Sequence, residues 1–363
     1  MTTESKATSR VANARWQSPS PAASVEPATT PSFLEKTLSS STNPMNNWAI
    51  PGVSLHAAGL VALSDLTSTA QRTALTGTAS YLDILFIAPG IHRQQAASAL
   101  NGGELPATGA LTTGYVFRIE NQATVSFMQR VGRAGHLVIL EVIPPDQRSG
   151  SIIQFFTTGG ITSYLYLLGP ALTLLIIVFL SLIGDWWGVG AIGMLILARL
   201  LNVIVIKRRS VLGWKGAPEP GVRGDLLVLL NQDRWIRMRG LVDDLKTVTS
   251  GQWLRDETMV EGFMSSTATL LVFMTAGLAG NASPIGCLLL ACLLLTSAAL
   301  LGFCNSLTKN LQMFGCVVQT SGEPVAYRRR LDLAEELIKE SGRDDWAIGL
   351  GMITVKGMKP ATM

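Results

Sequence analysis

Arg199 and Asn202 are the residues whose placement most needs a chemical reason, because both fall inside an apolar run long enough to cross a bilayer. A charge near the centre of a membrane helix costs about 2.5 to 3.5 kcal/mol on insertion scales. Two roles meet that cost. Arg199 stands about two turns from Lys207 and can snorkel toward the headgroups while Asn202 hydrogen-bonds a neighbouring helix. Alternatively the pair makes an anion or polar-solute contact inside the bundle, where Pro170 and a glycine-rich second span would help line a cavity.

Other chemistry-bearing residue types are present without the spacing their chemistry needs. His56, His92 and His136 form neither H-x-x-x-H nor H-E-x-x-H, so no zinc or di-iron ligand set is expected. Cys287, Cys292, Cys304 and Cys316 contain no Cys-x-x-Cys pair and read as small apolar side chains. Gly188-Val189-Gly190-Ala191-Ile192-Gly193 has the G-x-G-x-x-G pattern, yet it follows two tryptophans and opens a membrane run instead of a strand-to-helix turn. Small residues that let helices approach in lipid account for it. A Walker lysine loop and a G-x-S-x-G elbow are missing. The acidic pairs Asp243-Asp244, Asp256-Glu257 and Asp344-Asp345 are adjacent in sequence, so their carboxylates point apart. No cofactor, metal or catalytic residue is expected from these patterns.

The elements that would position Arg199 and Asn202 follow from composition. Of 363 residues 48% are apolar and only 15% charged, and the apolar ones gather in long blocks, as in an integral membrane protein. The net charge of +4, with basic and acidic residues alternating, gives no nucleic-acid footprint. Expected spans cover 161–183, with Pro170 as a tolerated kink, then 187–206, 263–280 and 285–303. Short turns at Gly184-Asp185 and at Asn281-Ala282-Ser283-Pro284 make two hairpins, 161–206 and 262–304. Neither turn holds a lysine or arginine, whereas 207–261 holds ten, so that loop and both termini are expected in the cytosol. The glycosylation pattern Asn281-Ala282-Ser283 sits too close to the membrane, and before Pro284, to be expected to carry a sugar.

The remaining segments divide by composition. Residues 1–45 are Ser-, Thr- and Pro-rich and read as a disordered tail. Residues 46–160 read as a cytosolic mixed α/β domain, with 137–143 as its best strand before Pro144-Pro145. In 207–261, strands at 226–230, 235–239 and 245–249 would form a small β-meander whose alternation sets Ile236 and Met238 opposite Arg237 and Arg239, leaving one wet face. Three short strands are marginal alone, so the meander should rest on the N-terminal region. Residues 305–363 form a tail with an amphipathic helix at 325–341, carrying Leu331, Ala334, Leu337 and Ile338 on one face and closed by Gly342. Arg328, Arg329 and Arg330 at its start would meet anionic lipid headgroups or pack on the cytosolic domain.

The stretch Arg223-Gly224-Asp225-Leu226-Leu227-Val228-Leu229-Leu230-Asn231-Gln232-Asp233-Arg234-Trp235-Ile236-Arg237, continuing through Val242-Asp243-Asp244-Leu245-Lys246 to Ser250-Gly251-Gln252-Trp253-Leu254, resembles uncharacterised multi-pass membrane proteins of filamentous fungi. That resemblance runs from the first span to the C-terminal helix and implies the same membrane topology; it brings no site residues. The function expected is that of a non-enzymatic membrane scaffold acting through its cytosolic face. Arg234, Trp235, Arg237 and Arg239 would be the docking surface for a protein partner or a second copy. A small-solute transporter or channel subunit, and a membrane-embedded enzyme without a recognisable motif, are the alternatives.

Overall fold

Backbone in hydrocarbon must satisfy its own hydrogen bonds, so long apolar runs become helices. The computed structural model describes residues 58–144 and 161–354; the tail expected over 1–45, His56 and Arg148 lie outside them. In chain order the helices are α1 Ala58–Ala62, α2 Ser68–Leu75, α3 Ala97–Leu100, α4 Gln122–Val131, α5 Ile161–Ile183, α6 Trp186–Arg209, α7 Val242–Thr249, α8 Met259–Leu278, α9 Pro284–Leu307, α10 Arg330–Ser341 and α11 Asp345–Gly349. The strands are β1 Ala107–Ala110, β2 Val116–Arg118, β3 His136–Ile143, β4 Arg223–Leu230, β5 Arg234–Leu241, β6 Asn310–Met313 and β7 Cys316–Ala326.

Four of these helices, α5, α6, α8 and α9, are long and apolar enough to cross a membrane. Their ends are set by specific caps. Asp185 accepts the Gly188 N–H to start α6 and also accepts the Ser283 N–H and hydroxyl at 2.9 and 2.6 Å, joining the two short turns. Ser283 is thereby engaged in the turn. Thr258 and Glu261 form a capping box at the start of α8. The tightest helix pairings are α6 with α8 and α5 with α9, each joining members of the two different sequence hairpins. Of the three glycines in the G-x-G-x-x-G run only Gly188 meets a neighbour, Leu180 and Asp185; Gly190 and Gly193 face open space.

The sheet has the order β2-β1-β4-β5-β3-β7-β6, antiparallel throughout except for the parallel pair β5 and β3. Its strands come from before α5, from between α6 and α8, and from after α9, so all three segments lie on one side of the helices. The expected strands at 137–143, 226–230 and 235–239 are all present, the last two as a hairpin turning at Gln232 and Asp233. Two expectations for this loop are overturned. Residues 245–249 are not a third strand but part of α7, since Asp243 and Asp244 sit in its first turn and Lys246 in its last, complementing the dipole. The threonines that favour strand by propensity hand their hydroxyls to carbonyls four residues back, Thr247 to Asp243 and Thr249 to Leu245. Nor does the hairpin keep one wet face. Leu226, Val228, Ile236 and Met238 pack with Phe127, Leu245 and Trp253 on one side, while Leu227 and Trp235 pack with Leu333, Leu337 and Trp346 on the other.

The C-terminal helix covers that second side. It begins at Arg330, not at 325, because Val325 and Ala326 still pair with Leu137 and His136 as the end of β7. Its buried face is Leu333, Ala334 and Leu337, with Leu331 turned outward, and Gly342 closes it in the left-handed conformation as expected.

The region expected as one α/β domain at 46–160 divides its residues between two tasks. Strands β1 to β3 enter the sheet, while residues 81–93 lie among the long helices as two 3₁₀ turns, Tyr81–Leu85 and Ile91–Arg93. Ile87 and Ile91 share an apolar cluster with Leu180, Ile192, Val272 and Leu290 from all four long helices. Phe86 stacks on Tyr166 of α5 at 4.8 Å, and Gly169 makes the room, since a Cβ there would stand 2.2 Å from the Phe86 ring. Irregular backbone among apolar helices is tolerated where protein buries it, and Ile87 and Ile91 of this inserted segment are buried. Gly90 is its pivot, with φ +87° and a hypothetical Cβ 1.9 Å from the Leu66 carbonyl oxygen. Gly90→Ala should therefore cost about 3 kcal/mol through strain and overpacking, read as a lowered thermal midpoint in detergent. An unchanged midpoint would mean the segment is not held as described.

Candidate functional site

The polar groups expected to matter inside the helices are gathered around the inserted segment. Ser80 and Asp83 form a capping box on the first 3₁₀ turn, the Ser80 N–H donating to Asp83 Oδ2 at 2.8 Å, which fixes the carboxylate. The Tyr166 hydroxyl donates to Asp83 Oδ1. Arg199 approaches from α6: its Nε donates to the Asp83 carbonyl at 2.9 Å, its Nη1 to Gln94 Oε1, and its Nη2 lies 3.9 Å from Asp83 Oδ2. Gln94 passes the chain to Thr73 at 2.9 Å. One turn along α6, Asn202 donates to the Ile91 carbonyl at 3.1 Å and accepts from Gln95 at 2.8 Å. Gln95 in turn accepts from Arg209, which also donates to the Arg255 carbonyl.

Arg199 and Asn202 are each 2% exposed. Arg199 therefore does not reach out to headgroups; the chain brings a carboxylate, an amide and a carbonyl to it. Buried charge is tolerable under those conditions, because the partners replace the water lost on burial. Chemically the arrangement is a fastener between residues 80–95 and α6. Two cavities among the described residues, about 280 and 300 Å³, are lined by other residues and lie near the sheet-side ends of the long helices. Among the described residues no group of three or more His, Cys, Asp or Glu side chains is placed to hold a metal ion.

The four residues expected to form a docking surface are separated by burial. Trp235 is 3% exposed and meets Tyr327 edge-on at 6.3 Å. Arg237 is 6% exposed and forks to Asp225 at 2.5 Å and to Glu340 of α10 at 2.7 Å. Arg234 donates to the carbonyls of Asn231 and Gln129. Only Arg239, half out in solvent near Asp225 and Glu340, keeps much of the character expected. The face read as a surface for a partner is occupied by the chain's own α10.

Comparison with protein-family models, curated proteins and solved structures finds no match to this chain. Functional argument accordingly rests on the geometry itself.

Burial works against the Arg237 charge, but its hydrogen bonds to the Asp225 and Glu340 carboxylates outweigh it and raise the guanidinium pKa above its ordinary value. The same bond from Arg237 lowers the Glu340 pKa below 4.5, against a smaller opposing effect of burial. Because Arg237 holds the ionised carboxylate, this contact stabilises the fold fully above the ordinary glutamate pKa and is lost as the pH falls through the lowered folded value. The α10 contact should thus loosen as the pH falls below the ordinary glutamate range, visible as a red shift in tryptophan emission to which Trp346, fully buried beside it, contributes. A Glu340→Gln variant with an identical acid transition would show that another group is responsible.

Several members of the two networks give no sequence signal of partnership. Asp83 sits in a Ser-x-x-Asp spacing that marks a capping box, and that alone was available to single it out. Gln94, Gln95, Tyr166 and Glu340 are identified as partners by tertiary contact only. Cys287, Cys304 and Cys316 are buried, as apolar-like thiols should be, and Cys292 is exposed on α9.

Proposed function

We propose that this chain is a non-enzymatic, integral membrane scaffold. In this reading α5, α6, α8 and α9 cross the bilayer as two hairpins and hold a single sheet domain at the cytosolic face, with both termini on that side. The observation that carries the reading is the use made of the intramembrane polar groups. A conduit needs polar side chains able to trade partners with a passing solute. Arg199 and Asn202 are instead fixed to the main chain at Asp83 and Ile91 and to the amides of Gln94 and Gln95. The ten basic residues of 207–261, against none in the two short turns, support the orientation.

In this reading the sheet domain meets a protein partner or a second copy, with Arg239, partly exposed, as the remaining member of the expected docking surface. Crosslinking in intact membranes followed by mass spectrometry should join the sheet domain to a stoichiometric partner or to another copy. Purified protein in vesicles should pass no ions or small solutes above the empty-vesicle rate. Solute flux from the purified chain alone would overturn the proposal in favour of a transporter or channel subunit.

A further inference from the structure

The cavity of about 280 Å³ is lined by Arg72, Thr76, Thr162, Thr308, Lys309 and Gln312, together with apolar neighbours that include Leu307. Thr162 lies in the first turn of α5, and Thr308 and Lys309 follow directly on α9, so the cavity sits where the sheet-side ends of two candidate spans meet the domain. In a bilayer that is the headgroup level.

Arg72 is the unusual member. It is 7% exposed, donates from Nη1 to the Thr308 hydroxyl at 3.1 Å, and lies over the Tyr166 ring at 5.1 Å. Among the described residues it has no ion-pair partner. The acid nearest along this network is Asp83, on the other side of Tyr166, and that carboxylate already receives the tyrosine hydroxyl and faces Arg199. One carboxylate thus stands among two buried arginines, and Lys309, exposed at the cavity rim, adds a third positive charge. The neighbouring cavity differs in this respect: its Arg130 donates to the carbonyls of Asn305, Ser306 and Thr308 at the end of α9, where the helix dipole favours a cation.

A buried guanidinium with no counter-ion among the described residues is costly, and a phosphate is the group that its planar fork of donors fits best. A second feature points to a phosphate carried on a lipid. Leu307, in the cavity wall, and Phe303, one turn deeper on the same face of α9, are both exposed, so an apolar track leads from the cavity along the helix surface. We propose that this cavity binds the headgroup of an anionic phospholipid, with Arg72 and Lys309 holding the phosphate and an acyl chain lying along Phe303 and Leu307. The site requires the helices to be membrane-embedded and is independent of whether the chain acts as a scaffold.

The test uses the full-length protein in detergent, titrated with short-chain phosphatidic acid, short-chain phosphatidylcholine or inorganic phosphate, with the thermal midpoint as readout. Phosphatidic acid should raise the midpoint saturably, phosphatidylcholine should do so only at concentrations at least tenfold higher, and inorganic phosphate should have no effect over the same range. Lys309→Gln, an exposed change that leaves the core untouched, should weaken the apparent affinity about 5-fold. Arg72→Lys keeps the charge but loses the fork and should weaken it by more than Lys309→Gln does. Equal binding of the two lipids, or an affinity unmoved by Lys309→Gln, would overturn the site. An inorganic-phosphate shift as large as that of phosphatidic acid would overturn the lipid assignment.

Discussion

Replacing Arg199 by leucine is expected to lower the stability of the folded protein by about 3 to 5 kcal/mol, the usual range when one partner of a buried ion pair is removed. Two opposed effects meet in this substitution. Leucine is easier than arginine to insert in a bilayer, by about 3 kcal/mol on insertion scales, so α6 itself should insert at least as well. The folded state loses more. The Asp83 carboxylate is left with the Tyr166 hydroxyl and the Ser80 N–H, and both the Asp83 carbonyl and the Gln94 amide oxygen lose a charged donor. Each orphaned buried acceptor costs about 1 to 3 kcal/mol. Insertion assayed by glycosylation mapping should be undiminished while the thermal midpoint drops, and Asp83→Asn combined with Arg199→Leu should cost less than the two changes summed. A midpoint equal to that of the unaltered protein would mean the network does not fasten the inserted segment.

The second large effect lies on the other side of the sheet. Arg237→Leu should free α10 from β5 at a cost of about 2 to 3 kcal/mol, toward the low end for a buried pair because Glu340 is half exposed and Arg239 stays within 3.6 Å of Asp225. Arg237→Lys should retain only part of the contact, since an ammonium cannot fork to two carboxylates at once. Amide exchange over 330–341 should accelerate in both variants, more strongly in the leucine one, while exchange in α6 stays unchanged. Protection of α10 that survives Arg237→Leu would assign its docking to the apolar contacts of Leu333 and Leu337 alone.

The sequence made the long helices readable because run length and absence of charge are local properties; α5 has the bounds expected for it, 161–183. The strands with an apolar or alternating pattern, β3, β4 and β5, were equally plain. Other elements lack such a pattern. Strand β1 is Ala-Thr-Gly-Ala and β2 has three residues, so neither shows a period; β1 exists because β4 offers a partner, and β2 because β1 does. The inserted segment is apolar enough to be buried and too short to span, a combination whose resolution is tertiary. Arg199 and Asn202 could be picked out as polar residues in apolar surroundings, but Arg199's partners Asp83 and Gln94 lie 116 and 105 residues away. Spacing rules reach a few residues along a helix or strand, not that far.

The composition of the sheet from three separate stretches also sets a schedule for its making. Glu141 of β3 and Ser321 of β7 touch across 180 residues of sequence, with all four long helices emerging between them. At about 5 to 20 residues per second, the β-branched edge of β3 waits roughly 10 to 40 seconds for β7 after it is synthesised. During that interval the nascent chain presents a β-branched strand edge with nothing to pair it. The sheet closes only after the last long helix has been synthesised, so its completion reports that all four long helices have left the ribosome.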